Sequence, residues 1–574
     1  MFAAIIPDPG EEIFDLHRTV QHQRAETIGT QAELHGYSPR YDNDTIGNAV
    51  ETVNIEIDNH RDTSLFVIKE MKCVEHAGMV IKSADVVIVG SGPTGSAYAR
   101  IIRNNWPEAR IVMVEAGPQI LPKTGAHLDN VADLDERNAL EVLAQGGDRS
   151  PRMPINKEEW EARRAGGFDG SLLRRSGLFI ANDGDPQDEN LFAGFSAANV
   201  GGMGTKWSTG TPIPSQIELV PFIPADEIQA ALATSAKLLG TNTDPNAGDP
   251  AAIALRERLG EVFNPGRTPD RFVQPMPLAA TPGPDGLYYH GTDVVLGDLV
   301  EEPAERFTIV KETACRRIIH DGQTVTGVEL ASTGSRETYV VGAGTVVVAC
   351  DALHSPQLLY ASGIRPEALG RNLNDHYIVS QISEMDTDVP MKAMNWIPAT
   401  KELPYSVTIA PASLHSMPRS GDIVGQPIGM GVFVSSDISP DNRVIFDDTR
   451  SDWLGLPAIS INWHQSEGDK ARLEDAKEYA LKISNIIGRP APGFATFVQP
   501  VGSSLHFQGT IRMGEADDGT SVCDKTSKVW GFNNLYVAGN GVIPTATATN
   551  PTLFSVALAS IGAKAIADAR RTAA

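Results

Sequence analysis

Asp85-Val-Val-Ile-Val-Gly-Ser-Gly-Pro-Thr-Gly95 is the stretch on which the fold turns. An apolar run of strand length meets Gly90-x-Gly92-x-x-Gly95, and helical patterning follows through Ala97, Tyr98, Ala99, Ile101 and Ile102 to about Arg103. A second apolar run, Ile111-Val-Met-Val114, ends at Glu115, and 115 − 95 = 20 residues separate the last glycine from that acid. Strand, tight turn, helix, strand and acid at this spacing predict a dinucleotide-binding unit. Glycines let the backbone approach a pyrophosphate, whose charge meets the free N–H groups and positive dipole end of the helix. The acid then accepts from a ribose hydroxyl. The motif alone does not separate FAD from NAD.

Around this unit lies a long, acidic chain. Its 574 residues carry 72 acidic and 48 basic side chains, 48 − 72 = −24, and 41 % are hydrophobic. That length is several domains' worth at roughly 150 residues each. An acidic balance repels phosphate backbones, and no basic run longer than a few residues occurs, so nucleic acid is set aside as a partner. Cys73, Cys315, Cys350 and Cys523 are too few and too scattered for a disulfide framework or a metal site, and read as reduced core thiols. No run of about 18 apolar residues predicts a membrane span, and Met1 to Pro9 lacks the features of an export signal. A cytoplasmic protein without a membrane partner is expected. Residues 1 to 80 are polar and hold His17, His22, His35, His60 and His76 at no metal-ligand spacing; they read as an arm of unknown role.

Residues 120 to 190 show clusters of proline, glycine and charge, such as Gly184-Asp-Pro-Gln-Asp-Glu189, and read as long excursions. The run Asn199-Val-Gly-Gly-Met-Gly-Thr-Lys-Trp-Ser-Thr-Gly-Thr-Pro212 fits two readings, backbone pressed on a flat ligand or a mobile glycine loop. Phe307–Val310, Val325–Leu330 and Glu337–Val341 predict a three-stranded excursion, and Thr345–Ala349 a strand buried on both faces. Ser355 and Pro356 offer an N-cap and first-turn proline to a helix running to about Ala361. Between about 381 and 500, strand-like segments such as Tyr405–Ala410, Ile428–Val434, Arg443–Phe446 and Ala458–Trp463 predict a second, sheet-based domain, followed by a helix over Gly468–Ile487. Leu535-Tyr-Val-Ala-Gly539 is another buried strand running into a turn, before a helix from Thr552 to about Arg571.

In usual order, these segments resemble the hallmarks of the glucose-methanol-choline family of FAD oxidoreductases. The resemblance rests on the glycine triplet with Glu115, on Thr345–Gly363, on Leu369-Gly-Arg-Asn-Leu-Asn-Asp-His376 and on Gly509-Thr-Ile-Arg-Met-Gly514. Val200–Trp207, Ser504-Leu-His-Phe-Gln-Gly-Thr510 and Gly541–Thr552 are most similar to the pyranose oxidase branch and its bacterial relatives that oxidise sugars or glycosides. The resemblance implies an α/β fold: a Rossmann-like FAD-binding domain (residues 81–215, 295–380 and 501–574) and a separate α+β substrate domain on a sheet (216–294 and 381–500). It implies FAD contacts from Gly90, Gly92, Pro93, Thr94, Gly95 and Glu115, from Gly201, Gly202, Met203, Thr205, Lys206, Trp207 and Ser208, and from Cys315, Gly539, Asn540, Asn550, Pro551 and Thr552. Lys206 stands where fungal pyranose oxidases tether the flavin through a histidine, so the FAD is expected to be noncovalent. Ser208 falls where the branch has a small hydroxyl near the flavin N5 atom, a position that bears on reaction with dioxygen.

His506 matches the family's catalytic base and Asn550 its partner. Oxidising a secondary alcohol requires a proton acceptor while hydride leaves carbon, and a neutral imidazole suits that task. Taken alone, a histidine between Leu505 and Phe507 is ordinarily a hydrogen-bonded core residue, and Asn550 before Pro551 an N-cap; for Asn550 both readings can hold together. The expected reaction is oxidation of a ring hydroxyl, at carbon 3 or carbon 2, of a pyranose or glycoside to a keto sugar, with dioxygen or a quinone-like compound as electron acceptor, in a possible homo-oligomer and without metal. The same scaffold also serves dehydrogenases of non-sugar alcohols and lyases without redox turnover. His354 and His376 are the next candidates for the base.

Overall fold

The computed structural model describes residues 74–76, 79–134, 136–137, 140, 194, 196–284, 286–412, 424–499 and 501–573. Most of the expected arm, Cys73, and the excursions after about residue 140 lie outside the described residues.

The first sheet is built around β1 (Ser83–Val89), in which Val86, Val87 and Ile88 are fully buried. Burial of each such side chain contributes about 1.5–3 kcal/mol, and burial on both faces marks a central parallel strand. Helix α1 (Pro93–Asn105) follows, and Arg103 in its last turn ties its end to the carbonyls of Pro107 and Ala109. Next to β1 run β2 (Ile111–Val114) and then β3 (Phe307–Val310), all parallel. Beyond them in sequence, β4 (Thr313–His320), β5 (Val325–Ser332) and β6 (Thr338–Val348) form an antiparallel meander.

The expected three-stranded excursion is thus corrected. Phe307–Val310 belongs to the parallel layer, and the segment Thr313–His320 takes its place in the meander. Glu337–Val341 and Thr345–Ala349 are not separate strands either. One strand, β6, uses Thr338–Gly342 to pair antiparallel with β5 and Gly342–Val348 to pair parallel with β1, while Leu535–Val537 lines up along its other edge. The partly exposed stretch through Gly344 and Thr345, before the buried Val346–Val348, explains why the sequence pattern looks broken there. The C-terminal helix (Thr552–Ala573) is apolar enough to span a membrane by composition, yet 72 % of that window is buried. It packs on α1, where Tyr98 meets Gly562, and on α2 (Ala225–Leu239), whose Ser235 hydroxyl donates to the Leu553 carbonyl at 2.6 Å.

Residues 216–294, expected to belong together, are divided. Ile228, Ala231 and Leu232 of α2 bury into the first core, whereas Leu255, Leu259 and Phe263 of α3 (Pro250–Phe263) bury into the second, because the apolar stripes of the two helices meet different sheets. A second correction concerns α4, which spans Asp351–Ala361 and starts before Ser355. The Asp351 carboxylate accepts from the N–H groups of Leu353 and His354 and so opens the helix, placing Pro356 inside it. The missing proline N–H leaves the Ala352 carbonyl without its helical donor, and the Thr510 hydroxyl supplies one.

The second sheet is antiparallel: β7 (His376–Met385), β10 (Gln426–Ser435), β9 (Tyr405–Pro411) and β8 (Asn395–Ile397) lie side by side in that order. It begins at His376, a few residues before the expected boundary at 381. Side chains alternate across it. One face, with Val379, Val432, Val407 and Ile409, packs on α3 and α5 (Glu467–Ile487), which a Ser466–Asp469 capping box opens. The other face carries His376, Ile378 and Ser380 from β7, Phe433 and Gly431 from β10, and Ser406 and Thr408 from β9. That face leads to the site.

Candidate active site

At the C-terminal end of β1 the chain turns through Gly90, whose φ of +103° disfavours any side chain; a Cβ there would also stand 2.2 Å from the Ala349 carbonyl oxygen. A Cβ on Gly95 would meet the Gly90 carbonyl at 2.2 Å, so helix and strand close only over hydrogen. Gly92 differs: nothing lies within 4 Å of the position of its Cβ. Two glycines therefore serve packing and one leaves open room beside the first turn of α1, which Pro93 and Thr94 begin.

Other predicted residues converge on that opening. A Cβ on Gly202 would lie 3.2 Å from the Gly92 Cα, and one on Gly204 would press on the Pro93 ring. Gly201 has φ +96°, and its N–H donates to the Ser91 hydroxyl at 2.9 Å. The Ser91 hydroxyl in turn donates to Glu115 at 2.7 Å, and the Ser91 and Gly117 N–H groups complete the carboxylate's partners at 3.2 and 3.0 Å. Burial pushes the Glu115 carboxyl pKa up, against the pull of these donors. Gly539 turns with φ +103° beside Thr94 and Asp351, with Asn540 in the following turn. Cys315 is buried on β4, and burial together with Cys315, Asp351 and Glu115 pushes the neighbouring Cys350 thiol up, so Cys315 belongs to the Glu115 end. Cys315, Cys350 and Cys523 are free thiols.

In the 201–208 run, Met203 and Thr205 sit in a single 3-10 turn and Lys206 is buried. Trp207 is fixed at both ends: its indole donates to the His290 carbonyl at 3.0 Å, and its own carbonyl accepts from His127 at 2.8 Å. Ser208 is exposed.

His506 is half-buried, and its backbone N–H donates to Asp375 at 3.1 Å and to Ser504 at 3.0 Å. Its ring Nδ1 lies 3.1 Å from Nδ1 of His376. His376 Nε2 is 2.9 Å from the Thr547 hydroxyl and 3.2 Å from the Gln508 amide nitrogen, which itself donates to Thr547 at 2.8 Å. Burial lowers the His506 pKa to about 4, and burial with the neighbouring His506 lowers that of His376 as well, so both rings are neutral at neutral pH.

Asn550 corrects one expectation. The Ser555 N–H donates to the Pro551 carbonyl, which makes Pro551 the cap of the helix beginning at Thr552 and leaves Asn550 one residue too early to serve. Its Oδ1 is buried and has no hydrogen-bond partner among the described residues. A bare buried acceptor costs about 1–3 kcal/mol, which a ligand donor would recover. Its amide faces Gly210, where a Cβ would come within 3.8 Å. The structure joins Asn550 to His506 through Thr547, which lies in the same loop and touches His376. His354 is elsewhere, held at the start of α4 with Asp351 at 3.0 Å and near Ser196. Among the described residues no group of three acidic, cysteine or histidine side chains is arranged to hold a metal.

Open space beside Gly92 at a helix start, an acid at the end of the next strand, a tight glycine run, a neutral histidine pair and a bare amide in the loop that touches it suit a flavin dinucleotide. The comparisons agree with this reading. The GMC oxidoreductase family models match residues 292–378 and 439–559, spans that contain His376, His506 and Asn550. A C-glycoside 3-oxidase of Arthrobacter globiformis is 39 % identical over 508 residues, covering 85 % of this chain and 95 % of that protein. The chain belongs to the GMC oxidoreductases. A pyranose 2-oxidase of Tricholoma matsutake is 30 % identical over 541 residues, covering 85 % of this chain and 94 % of that protein. The solved structure of a pyridoxine 4-oxidase from Mesorbium loti aligns over 84 % of this GMC chain and 99 % of its own, with a TM-score of 0.55 and 18 % identity, a likeness of fold.

Sequence reading missed Asp375, Thr547, Gln508 and Glu218. Asp375 does stand in the Leu369–His376 hallmark, which signalled it without a role, whereas His376 in the same hallmark was an alternative candidate for the base. Glu218 has only the local signal of a capping box, Ser215-x-x-Glu218, which says nothing of the loop it holds.

Proposed function

We propose that this GMC oxidoreductase oxidises a ring secondary hydroxyl of a pyranose or pyranoside, at carbon 3 in preference to carbon 2, using noncovalently held FAD and dioxygen as the final acceptor. The observation that carries the reading is the neutral His506–His376 pair, tied through Thr547 to the loop that carries the bare Asn550 oxygen. Higher identity to the C-glycoside 3-oxidase than to the pyranose 2-oxidase supports carbon 3, and both relatives are named as oxidases. Lys206 in place of a tethering histidine supports noncovalent FAD.

Gly92, the start of α1, Glu115 and the 201–208 run would hold the cofactor. FAD, when bound, supplies the acceptor for the hydride that leaves carbon. His506 takes the hydroxyl proton, and its tautomer decides whether it can. With His376 Nε2–H donating to Thr547, the shorter of its two contacts, His376 Nδ1 accepts from Nδ1–H of His506 and the Nε2 lone pair of His506 is free. Removing the proton there and the hydride from the same carbinol carbon converts the alcohol to a ketone. Asn550 Oδ1 can orient a donor of the substrate or cofactor.

Hydroxyls suit a sugar. Ser380, Ser406 and Thr408 lie on the sheet face that carries His376, with Trp396 donating to Ser406 at 2.9 Å and Gln499 to Ser380 at 2.7 Å. Mixing the protein anaerobically with pyranoses and glycosides, and following flavin bleaching with NMR of the product, tests the reading. A 3-keto sugar is expected; a lactone, a primary aldehyde or no bleaching by any sugar overturns it. Acid precipitation should leave yellow FAD in solution, and colour in the pellet would show a covalent anchor.

A further inference from the structure

We infer that Glu218 is a positioning residue for the catalytic loop, holding both Asn550 and the Thr547 contact to His376 in place. Glu218 is 2 % exposed, at the far end of the segment that begins with the 201–208 run. Its Oε1 accepts from the N–H groups of Ala548 and Thr549 at 2.6 and 2.8 Å; its Oε2 accepts from the Thr549 hydroxyl at 2.9 Å and from the Ser215 N–H at 2.5 Å. The Glu218 carbonyl also accepts from the Thr545 hydroxyl at 2.6 Å.

No cation pairs with this carboxylate among the described residues, so four dipolar donors bear a buried charge. Charge-assisted bonds of this kind are about twice as strong as neutral ones, and a buried charge deprived of them is strongly unfavourable. Three of the four donors come from the two residues immediately before Asn550. Thr547, whose hydroxyl meets His376, precedes them. One acid therefore fixes the loop that supplies both a bare acceptor and the hydroxyl in contact with His376. A glutamine is nearly isosteric but turns an N–H₂ toward donors, so the loop should loosen without a cavity forming.

This inference rests on the role proposed for Asn550, and the experiment separates the two. Glu218→Gln, Asn550→Ala and their combination are compared by the limiting rate of anaerobic flavin reduction in the holoenzyme. Hydrogen exchange of the 545–549 amides is measured beside it. Misplacing a reacting group by about 1 Å can cost 10²-fold, so E218Q should slow reduction about 10- to 100-fold while KM changes less than about threefold. Exchange at Ala548 and Thr549 should quicken. In the Asn550→Ala background E218Q should cost clearly less, because one of the groups it positions is gone. Thr549→Val removes a single bond to Glu218 and should show the same non-additivity at smaller amplitude, which keeps the test open if E218Q folds poorly. Full additivity in both cycles, or unchanged exchange with a near wild-type rate, overturns the inference. Asn550→Ala at wild-type speed overturns both the inference and the role of Asn550.

Discussion

Nδ1 of His376 and Nδ1 of His506 lie 3.1 Å apart, so one ring must carry its proton there and the other must not. Thr547 and the Gln508 amide, both at Nε2 on the far side of His376, bear on which. The pair is neutral because burial lowers both pKa values, and a neutral pair can hold a directed hydrogen bond that two cations could not. Acid–base competence in this site is therefore set by three side chains from two sheet-linked segments and one loop.

His376→Phe keeps a flat ring but removes the acceptor for His506. Flavin reduction by substrate should slow by about 10- to 100-fold, part of the 10²–10⁴ a positioned base supplies. Thr547→Val should slow it less. Stopped-flow reduction under anaerobic conditions measures both, and wild-type rates in His376→Phe would remove His376 from the mechanism.

His506→Ala should lose about 10²- to 10⁴-fold in reduction rate, equivalent to roughly 2.7 to 5.5 kcal/mol of barrier, while FAD remains bound. Asn550→Ala should also slow reduction. Since Pro551 and not Asn550 caps the C-terminal helix, the variant should melt without the loss of about 0.5–2 kcal/mol that a missing cap costs. A clear fall in melting temperature with an unchanged rate would return Asn550 to a structural role.

The dinucleotide unit was legible because it is local: the strand, glycines, helix and Glu115 fall within a short stretch, and each residue type has a physical reason at its position. His506 and Asn550 were legible through resemblance to a family. What sequence hid is long-range. The meander reading split β6 because one strand runs through partly exposed glycines before it reaches the buried Val346–Val348. Pro356 suggested a helix start, but Asp351 caps earlier and Thr510, from another part of the chain, repairs the lost bond. Asn550 looked like a cap because local pattern shows which residue precedes a proline, not which carbonyl Ser555 meets. Glu218 acts on a loop 330 residues away, and its local signature, the capping box with Ser215, does not reveal that reach.

Asp375 predicts a pH dependence of stability. Burial raises its carboxyl to about 7 from an ordinary value of 3.8, opposed by Ser504 and the N–H groups of His376 and His506. The folded chain then binds a proton that the unfolded chain has released between pH 3.8 and about 7, so this group's contribution to stability is present below that window and is lost as pH rises through it. Asp375→Asn has nothing to ionise. Its melting temperature, measured against wild type, should rise relative to wild type from pH 5 to pH 8. A constant difference across that range would mean the carboxyl titrates outside it. His506 lies in contact with Asp375 through its backbone, so the reduction rate of the variant should be followed on the same samples.

Glu115 tests the nucleotide end. Its carboxylate already accepts from Ser91 twice and from Gly117, and a ribose hydroxyl of bound FAD would add one more donor to a buried anion. Hydrogen bonds to charged groups contribute about 1.5–3 kcal/mol, so Glu115→Ala should weaken FAD about 10- to 150-fold. The same truncation strips acceptors from Ser91 and Gly117, which would destabilise the cofactor-free chain as well. Glu115→Gln separates the two effects: its amide oxygen keeps one set of donors satisfied, while its charge is gone. Titrating deflavinated protein with FAD by fluorescence quenching, beside melting curves without FAD, should therefore show a smaller affinity loss for glutamine than for alanine and little change in its melting temperature. Ser91→Ala should fall between wild type and Glu115→Ala, because it removes one donor to Glu115 and the acceptor of the Gly201 N–H together. Wild-type affinity in Glu115→Ala would take the acid out of the ribose site.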